Sequence, residues 1–140
     1  MIQITNDQME SILSYERLIP CLKEAFTKDY NLPKRHHHQY PNPKEGNEST
    51  LLLMPAWDDG KNMGVKIVNV TPDNAKYDLP TIQGLYLLFD LPTGSPKAQM
   101  DAKLLTAKRT AATSALASSF LSKKDSDSML MIGTGTLCKE

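Results

Sequence analysis

Apolar residues near the start of the chain recur at helical spacing, and those in its middle recur at strand spacing. Residues 2–5 read as a short strand. Asn6 or Asp7 suits the cap of a helix ending near Ser14, and Ser14 suits the cap of a second helix over 15–28. Leu18, Ile19, Leu22, Ala25 and Phe26 give that second helix its apolar stripe. Pro20 removes one backbone donor inside the stripe, so a kink or an irregular first turn is expected there. Residues 31–49 are polar and hold Pro33, Pro41, Pro43 and Gly46, the signature of a loop, with one extended piece over 35–40.

A run of strands follows. Residues 50–56, 63–71 and 82–90 are apolar or β-branched, and turn residues separate them at 58–61 and 72–74. Pro92-Thr93-Gly94 turns the chain into a further strand over 96–100. A helix rich in Ala and Leu is predicted from about Ala102 to Leu121. Residues 123–127 are a charged connector, and 128–132 read as a last strand. Strands bracketed by helices indicate an α+β domain with a mostly antiparallel sheet and flanking helices, not a repeating parallel unit.

At 140 residues the chain holds one domain, or one domain and part of another, and can bury a core without staples. Lysine plus arginine and aspartate plus glutamate both number 16. That balance lacks the basic excess of a general nucleic-acid or acidic-membrane binder. No apolar run is long enough to span a bilayer, and the first residues have no secretory pattern. Cys21 and Cys138 stand without a motif, so a reduced, cytoplasmic setting is expected.

Three features carry candidate chemistry. On a strand over 63–71, Lys66 shares a face with Gly64, Val68 and Val70. An ammonium on an apolar face either meets an anion or packs its stem while its tip reaches solvent. On the long helix, Leu105, Arg109, Ala112, Leu116 and Phe120 follow each other at helical spacing, which predicts that Arg109 lies within the core-facing stripe. Its guanidinium fork suits a carboxylate or phosphate ligand, or a structural pair with Asp90 or Asp101. If Lys66 and Arg109 converge, they make a cleft for a small anion. In the Arg35-His36-His37-His38 run, Arg35 and His37 face one way and His36 and His38 the other, and no further spacing supplies a metal site. The methionines read as core filler, and Trp57 at a strand end either packs a turn or touches a ligand. Gly133-Thr134-Gly135 after an apolar stretch has the form of a phosphate-binding glycine turn, with Cys138 at the third small position.

The segments MPAW (54–57), GVKIVNV (64–70), LPTIQGLYLLFD (79–90), TGSPKAQMDA (93–102), LTAKRTAATSALA (105–117) and MLMIGTG (129–135) resemble successive blocks of the ornithine cyclodeaminase/μ-crystallin family. The blocks LLLMPAW, RHHH and GTGTL are most similar to the branch of Δ1-pyrroline-2-carboxylate reductases. The resemblance implies a homodimer whose substrate-binding and dimerisation domain covers residues 1–127 and is completed by a returning C-terminal segment. It implies that 128–140 begin a Rossmann domain that binds NAD or NADP, and that a chain ending at Glu140 is a fragment, inactive alone. By the same resemblance Arg35, Lys66 and Arg109 hold the carboxylate of a small imino acid or amino acid, and Lys66 also serves proton transfer. Thr81 and Arg109 meet the nicotinamide half of the cofactor. Gly133, Gly135, Thr136 and Leu137 form the phosphate loop.

Three functions are consistent with these readings. The first is an NAD(P)H-dependent reductase of cyclic imines, converting Δ1-pyrroline-2-carboxylate to L-proline. The second is a cyclodeaminase converting ornithine to proline and ammonia. The third is a non-catalytic dimerisation or binding module.

Overall fold

In a computed structural model, which describes every residue except Glu45 and Glu140, the middle of the chain forms one six-stranded sheet. The strands are β1 (Ile2–Gln3), β2 (His36–Tyr40), β3 (Ser49–Trp57), β4 (Asn62–Val70), β5 (Ile82–Asp90) and β6 (Pro96–Asp101). Their order across the sheet is β1-β6-β5-β4-β3-β2. β2 to β6 form an antiparallel meander, and β1 adds a parallel pair on β6 through Ile2 and Gln3. The helices are α1 (Asn6–Ile12), α2 (Tyr15–Ala25) and α3 (Ala102–Leu121). α2 runs unbroken through Pro20, which lies inside the helix and leaves one backbone hydrogen bond of the ladder unmade.

The described chain divides into two compact units. A sheet unit holds residues 1–6 and 29–103, and a helical unit holds 7–28 and 104–140. In the sheet unit the turns fix the register. Asp58 accepts hydrogen bonds from the backbone N–H of Lys61 (2.7 Å) and Asn62 (2.8 Å), which closes the β3–β4 hairpin. These amide donors hold its carboxyl below the usual value. At the β5–β6 turn, Asp90 accepts from Thr93 Oγ1 at 2.7 Å and pairs with Lys97. Between β4 and β5 the turn expected at 72–74 is a 3-10 helix over Pro72–Tyr77. Its buried Asp73 accepts from the Asn47 backbone N–H at 2.6 Å and pairs with Lys76 at 2.8 Å. Trp57 and Asn31 exchange backbone hydrogen bonds, which tie the chain at 31 to the end of β3.

In the helical unit Met9, Ala107, Ala112 and Leu116 are buried. Residues 128–132 differ from expectation. They form no strand, and Met129, Leu130, Met131 and Ile132 are exposed. A strand obtains its hydrogen bonds only from a neighbouring strand, and no described residue offers one to this segment. No helix among the described residues is long and apolar enough to cross a membrane.

Candidate active site

Pleating puts Gly64, Lys66, Val68 and Val70 on one face of β4, as the sequence pattern requires. Register fixes what surrounds Lys66 on that face. It stands directly opposite Met54 of β3 and Tyr86 of β5, and Tyr86 stands opposite Met100 of β6. Lys66 is therefore the one cation in a row of two thioethers and a phenol, and it is half-buried. His37, opposite Leu52, belongs to the same face, because Leu52 and Met54 are two residues apart on β3. Arg35 precedes β2 by one residue and is exposed. Continued alternation gives it the face of His37.

Tyr86 is a member of this face that the sequence reading passed over. Burial pushes its phenol above the ordinary value of 10, so it stays protonated at neutral pH. Its ring runs over Gly64. A Cβ at that glycine would lie 2.5 Å from Tyr86 Cζ and would overlap the hydroxyl. The alternation of β5 groups Tyr86 with Gly84 and Leu88, and the pairing of β5 with β4 puts it opposite Lys66. What hid it was that an aromatic residue in an apolar strand reads as core.

The opposite face carries His36 and His38, whose rings meet edge to face with centroids 6.1 Å apart. Among the described residues no three metal-ligating side chains come together. Thr81 is half-buried just before β5, and its carbonyl accepts from Thr71 N–H at 2.8 Å, which fixes its backbone.

Arg109 belongs to the helical unit, and its face requires correction. Of the expected stripe, Ala112 and Leu116 are buried and Leu105 is half-buried, but Arg109 and Phe120 are exposed. The reason lies in α3 itself. Alanine, threonine and serine surround it on all sides, so the larger residues do not define a buried stripe, and Ala107 on another side is also buried. The covered cation of the helix is Lys108. Its side chain is 12% exposed, it pairs with Glu10 at 2.5 Å, and its ammonium lies 5.2 Å from the centroid of the Tyr15 ring. Arg109 has no ion pair among the described residues. Asp90, one of the structural partners considered for it, is engaged within the sheet unit by Thr93 and Lys97.

Near the C-terminus Gly133 has φ +117°, a conformation that favours glycine. Gly135 begins the turn, and Cys138 N–H donates to its carbonyl at 3.0 Å, closing a 3-10 helix over Thr136–Cys138. Side chains built on either glycine would meet nothing within 4 Å. The backbone of this turn is therefore open on the side where a Cβ would stand.

The sequence model of the ornithine cyclodeaminase/mu-crystallin family matches residues 1–140. Over 135 residues the chain is 38% identical to a Δ1-pyrroline-2-carboxylate reductase of Colwellia psychrerythraea, covering 96% of this chain and 42% of that protein. Among solved structures, an archaeal alanine dehydrogenase dimer with bound NAD aligns with a TM-score of 0.83 at 30% identity, over 99% of this chain and 42% of that one. The Δ1-pyrroline-2-carboxylate reductase of Thermococcus litoralis, in complex with NADH and L-proline, aligns with a TM-score of 0.72 at 30% identity, over 90% of this chain and 39% of that one. The chain thus spans about two-fifths of the length of the relatives it matches.

Proposed function

The chain belongs to the ornithine cyclodeaminase/mu-crystallin family, and on that footing we propose that the whole protein is an NAD(P)H-dependent ketimine reductase. Its substrate is Δ1-pyrroline-2-carboxylate or a similar cyclic imino acid, and its product is L-proline or the corresponding amino acid. The observation that carries this reading is Lys66, a half-buried ammonium-bearing residue in a row otherwise made of Met54, Tyr86 and Met100. An apolar row that carries an ammonium suits a small ring that bears one carboxylate. The reductases among the compared proteins support the same substrate class.

In this reading Arg35, Lys66 and Arg109 hold the carboxylate, which orients C2 of the ring. Such positioning supplies much of the rate gain in a reaction whose chemistry belongs to the cofactor. Arg109 suits a ligand role because it is exposed and carries no ion pair among the described residues. A nicotinamide cofactor, NAD or NADP, supplies the hydride when bound. Gly133, Gly135, Thr136 and Leu137 would hold its pyrophosphate, and Thr81 and Arg109 its nicotinamide half. A protonated imine is the better hydride acceptor, so a proton must reach the ring nitrogen. Lys66, or a water held by His37, would deliver it. The working form is a homodimer, supported by the dimeric alanine dehydrogenase among the structural neighbours.

The test is to assay the protein at its full natural length with Δ1-pyrroline-2-carboxylate and NADH or NADPH, following loss of reduced nicotinamide. Lys66→Ala and Arg109→Ala are each expected to lower kcat/KM about ten- to a hundredfold, the value of one hydrogen bond to a charged group. Near-normal turnover and affinity in both variants would sink the assignment. Release of ammonia from ornithine without added reductant would replace the reductase with a cyclodeaminase built on the same cations.

A further inference from the structure

We infer that the Tyr86 hydroxyl is a second donor to the ligand's carboxylate, sharing that anion with Lys66. The inference rests on the proposed reading of the Lys66 face as the substrate site, and it adds a residue to which that reading gives no role.

The argument begins with register. Lys66 and Tyr86 are directly opposite each other on neighbouring antiparallel strands, so their side chains leave the sheet on the same face and within contact range. The Tyr86 ring does not stand upright on its own strand. It leans across to β4 and ends with its hydroxyl over Gly64, where any Cβ would overlap it. Gly64 and Lys66 are two residues apart on one strand and one face, about 7 Å along the backbone. The phenol tip and the base of the Lys66 side chain are therefore neighbours along β4, at a spacing that a small carboxylate-bearing ring can bridge.

The second part of the argument is polar bookkeeping. The Tyr86 hydroxyl has no hydrogen-bond partner among the described residues, and since no buried side-chain oxygen there lacks a partner, its tip is open to solvent and to a ligand while the ring is partly covered. Other polar groups of the sheet have local partners. Tyr40 Oη donates to Asn69 Oδ1 at 2.8 Å, and Ser49 Oγ donates to Thr71 Oγ1 at 3.3 Å. Burial keeps this phenol in its protonated, donating form. A carboxylate accepts only, and has two oxygens with several lone pairs, so it can take an ammonium and a phenol together. An aliphatic residue at 86 would leave the second oxygen without a donor from this strand.

The experiment uses the full-length protein without cofactor and the probe pyrrole-2-carboxylate, a flat five-membered ring with one carboxylate, measured by titration calorimetry. Tyr86→Phe keeps the ring over Gly64 and deletes only the oxygen, so the fold is retained. The expected result is a ten- to hundredfold weaker Kd for Tyr86→Phe. Lys66→Met is expected to weaken binding as well, and the double variant to lose less than the product of the two single effects, because both donors serve one anion. A second readout is the ultraviolet titration of the phenols, in which the probe should raise the pKa of one tyrosine in the unsubstituted protein and of none in Tyr86→Phe. Probe binding that Lys66→Met weakens and Tyr86→Phe leaves unchanged overturns the tyrosine's role alone. Absence of probe binding to the unsubstituted protein overturns that role together with the substrate-site reading beneath it.

Discussion

Lys108 Nζ lies 2.5 Å from Glu10 Oε2, and this ion pair distinguishes two adjacent cations of α3. Lys108 is engaged inside the helical unit, with a side chain 12% exposed, whereas its neighbour Arg109 is exposed and unpaired among the described residues. One cation is engaged in an ion pair and the other is exposed. Glu10→Gln leaves a mostly covered ammonium without its counter-charge. Since Glu10 itself is half-exposed, the cost is about 1–2 kcal/mol rather than the larger figure for a fully buried pair. For a chain of this length that lowers Tm by about 3–6 °C. Arg109→Gln should change stability by less than about 0.5 kcal/mol. Thermal unfolding followed by circular dichroism checks both. A larger loss for Arg109→Gln than for Glu10→Gln would reverse the two roles.

Gly64 and Tyr86 should be energetically coupled. A methyl group at 64 meets the phenol tip, so the ring must leave its rotamer or the strands must part. Overpacking of this kind costs about 1–3 kcal/mol. In a Tyr86→Leu background the same Gly64→Ala change meets a side chain that does not reach across to β4, and it should cost less than about 1 kcal/mol. Urea unfolding of the two single variants and the double variant gives the coupling directly. Strict additivity would mean that the ring does not occupy the space over Gly64.

These pairs also show what could be read from the sequence and what could not. The strands around Lys66 were legible because β-branched and apolar runs sit between unambiguous turns, at Asp58-Asp59-Gly60-Lys61 and Pro92-Thr93-Gly94. Once β4 is located, pleating alone settles the face of Lys66. The long helix was legible in extent, Ala102–Leu121, but not in orientation. Spacing identifies a buried face only when apolar residues are confined to one side, and α3 spreads small residues around its whole circumference. Arg109 was therefore placed in the core stripe, where Ala112 and Leu116 do lie, while Lys108 passed unnoticed. Its partner Glu10 is some hundred residues away in the chain, a distance no local pattern spans. The strand expected at 128–132 failed for a related reason. Its apolar sequence gives it the propensity, but a strand exists only through pairing, and that information is not local.

Asp73 makes acid stability a test of the β4–β5 connection. Its carboxylate receives the Lys76 ammonium at 2.8 Å and the Asn47 backbone N–H at 2.6 Å, and these contacts hold its pKa below the ordinary 3.8. A carboxyl whose folded pKa lies below its unfolded pKa adds stability that is fully present above 3.8 and is lost as pH falls through the lower, folded value. Below both values the protonated group no longer pairs with Lys76 and no longer holds Asn47. Asp73→Asn should therefore be less stable than the unsubstituted protein at neutral pH, and the gap should close as the solution is acidified through that window. Asp58 and Asp90 also have lowered pKa values, so both proteins lose stability in acid, and the difference between their urea midpoints isolates Asp73. A gap that stays constant from neutral pH to the bottom of the carboxylate range would assign the effect of the substitution to packing, with no contribution from the charge.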